Sequence, residues 1–523
     1  MDKAGNTRRY ESVLVRRSYR DGGKVKHQTL ANLSKLPADV VSVIEAALKG
    51  IALAPVTDAF TITRSLPHGD VAAVAAMAHQ LGLPAVLGPA GRQRDLALAL
   101  IISRVLRPTS KLSTLTWWSD STLGTDLGVA DASTDEIYAA MDWLAERQDS
   151  IEAALARKHL AGEANPARMA LFDLSSSWVE GRHCPLAARG YSRDGKKGKL
   201  QIEYGLLTDP DGRPVAVRVF DGNTGDPAAF TEIVRVLRER FGLARMVMVG
   251  DRGMITNARI AALEELDADL GWITALRSPA IAKLLREGPL QLSLFDQQDL
   301  AEITHPDYPG ERLVACRNPL LAAERARKRE DLLRATEKLL AQVTARAQRG
   351  TLTGAKAIAV EVGKVLNKYK VGKHFDYHIT DTGLAIERKQ AQIDAEAALD
   401  GIYVLRTSLP PEKLDAPGVV LAYKNLAHVE RDFRIIKTDD LDLRPIHHRL
   451  EQRVKAHVLL CMLACHLVWH LRKAWAPLTF TDEHPPQRDN PVAPASRSTH
   501  AERKARYQHD ESGHPYRSFR GLL

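Results

Sequence analysis

Cysteine is scarce in this chain: four residues, Cys184, Cys316, Cys461 and Cys465, among 523. That excludes a disulfide framework as the source of stability. Cys461, Cys465 and His466 share the apolar run VLLCMLACHLVW, with no second ligand pair of suitable spacing nearby. Small buried cysteines on a core helix account for them better than a zinc site does. The same run is too short to span a bilayer and contains a histidine, so no membrane partner is expected. The N-terminus is polar and basic and lacks the apolar segment of a signal peptide, which points to a cytoplasmic protein. Also missing are a Walker A sequence, a dinucleotide-binding glycine pattern, a Ser-His-Asp arrangement and any internal repeat. GDRG at 250–253 is too short to be a nucleotide loop.

What is present is an ordinary soluble composition, 45% hydrophobic and 26% charged. The length calls for two to four domains, or one domain with large insertions. Net charge is +9, with a pI near 9.2, which favours a polyanionic partner. The excess is uneven: residues 1–36 carry nine Lys/Arg (3, 8, 9, 16, 17, 20, 24, 26, 35) against three acids. Nucleic-acid contact by this segment competes with a plain solvated basic face.

Residues 10–34 show two short alternating runs around Asp21-Gly22-Gly23, a hairpin signal with basic residues on its exposed side. This basic N-terminal hairpin segment is set at 1–65. Over 66–164 apolar residues recur at three- and four-residue spacing, predicting a helical DNA-binding or dimerisation domain. From Met169 three strands follow one another, then helix and strand alternate through the apolar run before Asp251 and through GWITALR. That describes an α/β domain with a mixed sheet over 165–277. Residues 278–415 interrupt it with a long charged helix, a β-hairpin turning at Asp381-Thr382-Gly383 and a strand, read together as an inserted α+β subdomain. The α/β fold resumes over 416–475. Residues 476–523, rich in Pro, Ser, Arg and His and without apolar periodicity, are expected to form a flexible tail.

Three acids stand out. Asp173 lies in LFDLSSSW, where an apolar strand opens into hydroxyls, and Asp251 ends VMVGDRG, where a buried strand enters a glycine-flanked turn. Groups at the carboxyl ends of strands in an open α/β sheet face a crevice. Glu430 lies in YKNLAHVERDFRIIK. Read as one helix at about 100° per residue, this stretch puts Tyr423 and Lys437, seven residues either side, about 20° from Glu430. Arg434 is close by on that face, and Val429, Phe433 and Ile436 make a separate stripe to bury. Singly each acid is an ordinary cap, turn former or solvated side chain. Together they are three hard oxygen ligands suited to Mg²⁺ or Mn²⁺. Two such ions about 3.5–4 Å apart drive in-line phosphoryl displacement, while Lys437, Arg434 and Arg252 hold flanking phosphates.

LFDLSSSW, VGDRG and the spacing Y-x-x-L-x-x-x-E-x-x-x-x-x-x-K resemble the DDE transposases of bacterial insertion sequences, in the branch with a tyrosine–arginine–glutamate–lysine signature. TLANLSKLP near the N-terminus is similar to a segment of one subgroup. The resemblance spans roughly 165–470. It implies an RNase H-like fold holding an inserted subdomain, with Asp173, Asp251 and Glu430 as catalytic metal ligands for two Mg²⁺ (or Mn²⁺) ions, and Tyr423 and Lys437 as contacts to double-stranded DNA at the element's end. A homodimer on paired ends is expected. Leu426 stands at the signature's arginine position, leaving Arg431 or Arg434 to replace that contact. A structure-selective nuclease without strand transfer, and a catalytically inactive DNA-binding repressor, are the alternatives. Near the site, His447 and His448 read as a capped turn, Arg453 and His457 as facing DNA or solvent, and Trp178 and Trp272 as core aromatics rather than base-stacking ones.

Overall fold

The computed structural model describes residues 11–523 apart from 54, 56–61, 163, 164, 166, 244, 267–269, 297 and 489. It divides into two units, Met1–Leu66 and Pro67–Leu523. In the first, β1 (Leu14–Asp21) and β2 (Lys24–Asn32) pair antiparallel, followed by α1 (Ala38–Leu48). Gly22 and Gly23 both have positive φ, 56° and 80°, the turn that matches strand twist. The ribbon is exposed nearly throughout, so its cations occupy both faces rather than one: Arg16 and Arg20 project opposite to Arg17. Lys3, Arg8 and Arg9 lie outside the described residues.

The second unit is built on an eight-stranded sheet of order β5-β4-β3-β6-β7-β12-β9-β8. β3 (Met169–Trp178), β4 (Gln201–Thr208) and β5 (Pro214–Asp221) form an antiparallel meander. β6 (Val247–Val249) and β7 (Gly271–Ala275) then join parallel on the other side of β3. A meander with two parallel strands added beside its first strand is the RNase H-like arrangement. The crossovers are helical, as parallel pairing requires: α6 (Asp226–Arg235) before β6 and α7 (Asn257–Leu266) before β7.

Helices α2 (Gly69–Gln80), α3 (Arg92–Leu106), α4 (Thr134–Glu146) and α5 (Gln148–His159) were expected as a domain of their own. They share one continuous core with the sheet instead. The reason is the long C-terminal helix Glu451–Ala474, which packs on α3, α4 and β5 together. That helix is long and apolar enough to cross a membrane by composition, yet 83% of its apolar window is buried in protein. All four cysteines are buried, two of them on this helix.

The expected insertion is smaller than its sequence boundaries. β8 (Leu300–Ile303), β9 (Arg312–Arg317) and β12 (Ile402–Thr407) extend the main sheet antiparallel beyond β7, covered by α8 (Ser278–Glu287). What has a core of its own is α9 (Pro319–Gln348), α10 (Ala355–Tyr369), the hairpin β10 (Phe375–Ile379)–β11 (Leu384–Arg388) and α11 (Gln390–Ala397), packed around Leu340, Ile358, Val362 and Phe375.

The chain then forms α12 (Ala416–Lys424), α13 (Leu426–Arg434) with a π-helical turn Ile435–Asp439, and α14 (Glu451–Ala474). The described residues of 476–523 form no flexible tail. α15 (Thr499–Tyr507) and α16 (Phe519–Leu522) fold back, Thr479 pairs with Arg517, and Phe519 enters the main core. Lys504, 1% exposed, donates to the Ala476 and Thr481 carbonyls and to Glu483. Arg520 pairs with Asp440 at 3.2 Å. Single anchoring residues leave no periodic trace, so composition alone misread the segment.

Candidate active site

Asp173 sits within β3 and Asp251 directly after β6. The parallel register pairs Leu171 with Val249, so two residues further on the two aspartates come side by side on the same face. Asp251 is fixed by its own turn, its Oδ1 accepting from the Gly253 and Met254 N–H groups at 2.9 and 2.8 Å. α13 lies across β3 and β4. Val429 and Phe433 are buried, with Phe433 edge-on to Tyr204 at 5.7 Å, and Glu430 is left exposed on the other face. The β4–β5 turn sets the approach of the helix: a Cβ on Gly212 (φ 79°) would meet His428 Cβ at 2.4 Å, so only glycine fits.

Burial pushes the Asp173 carboxyl up to about 7. The Leu174 N–H, which it accepts at 2.8 Å, and Arg193 oppose the rise; the charges of Asp251 and Glu430 add to it. Tyr423 on α12 feels the same three acids: burial, then Asp251, then Asp173 and Glu430 push its phenol up to about 12, against Arg252. The structure thus brings Asp173, Asp251, Glu430 and Tyr423 into one electrostatic neighbourhood. Beside the aspartates opens a cleft of about 450 Å³, lined also by Tyr191, Arg193, Glu203 and Asn223.

Two known families match the chain. The transposase DDE domain matches residues 175–467, and the N-terminal domain of IS1634 family transposases matches residues 2–55. The chain belongs to the DDE transposases of insertion sequences. The first match takes in Asp251 and Glu430 and begins two residues after Asp173. Among solved structures, the piggyBac transposase in a synaptic complex with hairpin DNA is similar at 10% identity and a TM-score of 0.35, over 81% of this chain and 69% of that one. No curated protein matches.

The transposase departs from the single helix expected over 423–437. α12 ends at Lys424, a tight turn at Asn425 starts α13, and the π turn adds a residue per turn after Arg434. Lys437 therefore leaves the Glu430 face. It is buried, its ammonium pushed down by that burial, and it donates to Asp194 at 2.8 Å alongside Arg444. Arg434 and Arg252 are exposed, with no side-chain partner among the described residues. Arg431 faces away, toward a cavity beside Asp432 and Trp469, and Leu426 packs against the core. Arg453 turns to Asp142 and lies over Tyr138, and His457 is buried against His448, so neither looks outward. Trp272 is core, 1% exposed; Trp178 is half-buried between Lys196 and Arg444, at 5.3 and 5.2 Å.

Three groups of the site escaped the sequence. Arg193 pairs with buried Glu203 at 3.2 Å beside Asp173, and Asp194 gathers Lys437 and Arg444. The trace of Arg193 and Asp194 is the basic, glycine-rich run RDGKKGK between β3 and β4, while Glu203 lies within β4 itself.

Proposed function

We propose that this transposase binds the terminal inverted repeats of an insertion sequence, cuts the DNA with Asp173, Asp251 and Glu430 as ligands of two divalent ions, and joins the 3′ ends to target DNA. The observation that carries this reading is the convergence of three acids: β3 pairs in register with β6, α13 lies across β3, and Asp251 and Glu430 both raise the Asp173 carboxyl, which burial has already lifted. A half-buried carboxyl crowded by two like charges calls for more positive charge than Arg193 supplies, and three carboxylates form an oxygen-only donor set, so the residues fit Mg²⁺ or Mn²⁺. Bound there, such ions supply an activated water or 3′-hydroxyl and stabilise the leaving oxygen.

The chain's own residues do the positioning. The Gly253 and Met254 N–H groups lock Asp251, the Phe433–Tyr204 contact seats α13, and exposed Arg252 and Arg434 offer charge to flanking phosphates. Tyr423, kept protonated, is a donor beside the acids. Lys437 reaches DNA only by leaving Asp194. Pairing of two ends calls for a homodimer on DNA, working in the cytoplasm.

The test is cleavage and joining on a DNA carrying the element's end. Asp173→Asn, Asp251→Asn and Glu430→Gln should each abolish cutting and preserve end binding. Cutting of DNA that lacks any end sequence, with no joined product, would favour the structure-selective nuclease. Indifference of both processing and stability to Mg²⁺ would favour the inactive repressor.

A further inference from the structure

On the far edge of the sheet, His159 at the end of α5 meets His466 and His470 of α14. The two on α14 are four residues apart and so share a face. One ring nitrogen of each histidine lies within 4.8 Å of the other two, and the ring centroids are 5.3, 6.2 and 4.9 Å apart. Nε2 of His159 and Nε2 of His470 are buried without a hydrogen-bond partner. Orphaned buried polar atoms are costly, so two in one cluster ask for an occupant. His466 is already oriented: its Nδ1–H donates to the Pro214 carbonyl at 2.8 Å, leaving the Nε2 lone pair free.

We propose that His159, His466 and His470 form a second metal site, which takes a borderline divalent ion such as Zn²⁺ and shares no residue with the carboxylate centre. Three imidazoles with an open fourth position make a recognised zinc donor set, and closing the nitrogens to metal-bond length asks about 1 Å of side-chain rotation. Burial holds all three rings neutral, the ligand form: His159 down to about 2, His470 to about 3 and His466 to about 4. Arg213, Lys158 and Lys473 act on the cluster as cations. A metal held by charge alone is therefore repelled, and only one bonding covalently to nitrogen is retained, which selects Zn²⁺ over Mg²⁺. Arg213, paired with Asp209 at 3.3 Å, donates to His159 Nδ1 and so keeps that ring's proton on Nε2. It is a built-in competitor that loading must turn aside.

The test is titration of the chelator-stripped full chain with Co²⁺ alone. Expected are one Co²⁺ per chain with the strong visible bands of a four-coordinate nitrogen site, bleached by Zn²⁺ and untouched by Mg²⁺. His470→Gln should weaken binding by at least about 10–100-fold, since even outer partners of a metal ligand cost that much. Arg213→Gln should tighten it, and the combined Asp173→Asn, Asp251→Asn, Glu430→Gln variant should keep the bands. Absence of the bands in the unsubstituted protein would overturn the site whatever the variants do. Bands lost in the acid variant but kept in His470→Gln would overturn it equally.

Discussion

Asp173, Asp251 and Glu430 stand where the sheet opens to solvent; His159, His466 and His470 are closed in between α5, the start of β5 and α14. Burial works on both groups by the same rule and with opposite results. It disfavours charge, so it lifts the Asp173 carboxyl toward its protonated form and drops the three imidazoles toward theirs without a proton. The acids crowd negative charge that Arg193 offsets only in part. The histidines have cations nearby and lack only a bonding partner. On the two proposals above, one chain would hold two sites that sort metals by different properties, the first by charge and hardness, the second by affinity for nitrogen.

The hardest blow to this contrast comes from removing one acid. Asp173→Asn, Asp251→Asn or Glu430→Gln should each lower cleavage by about three orders of magnitude or more, because a lost metal ligand removes several kcal/mol of charge stabilisation. End binding, measured by gel shift, should stay within about twofold. A single one of these variants that still cuts would remove its residue from the centre.

Stability of the metal-free protein gives the next largest effect. Asp173 has a folded value near 7, above its usual 3.8, so the native state holds a proton that the unfolded chain has released. That contribution is intact below about pH 4 and is lost as pH rises toward and past 7. With a chelator present, Asp173→Asn should therefore be the more stable protein at pH 8, by on the order of 2 kcal/mol after solvent screening, with the gain fading toward pH 4. Denaturant melts across that range decide it; a gain independent of pH would show that burial of Asp173 has another cause.

Much of this was readable in advance, and the failures share a cause. LFDLSSSW and VMVGD announce strands by apolar runs ending in an acid, and the sheet register then sets Asp173 beside Asp251. The stripe Val429, Phe433, Ile436 is buried as its spacing requires. Lys437 was misplaced because a π turn leaves no mark in the periodicity. β8, β9 and β12 were assigned to an insertion because strand order is a long-range property; their pairing with β7 is not written near any of them. In sequence His466 stands with Cys461 and Cys465, whereas its neighbours in space are His470 and a residue some 300 positions earlier.

The histidines should show the reverse pH trend, and a smaller one. His466 is held near 4, below its usual 6.5, so the unfolded chain takes up a proton that the native state refuses. Its contribution is present above about 6.5 and is lost as pH falls toward 4. His466→Gln should flatten the acid limb by about one proton, about 1.4 kcal/mol per pH unit, whatever the substitution does to absolute stability. An unchanged slope between pH 6 and 4.5 would mean that His466 is protonated in the fold.

The smallest effects separate the cations around the acids. Arg434 and Arg252 are exposed and without a side-chain partner among the described residues, while Lys437 is already neutralised by buried Asp194. A cation that meets a DNA phosphate adds about 0.9 to the slope of log affinity against log salt. Arg434→Ala and Arg252→Ala should each lower the slope by about that much, measured by anisotropy on an end-bearing duplex. Lys437→Ala should lower it by clearly less, since its charge is spent inside the protein. If instead Lys437→Ala matches Arg434→Ala, the lysine has exchanged Asp194 for a phosphate on binding. Asp194→Asn in the free protein should then strengthen DNA binding by releasing it beforehand.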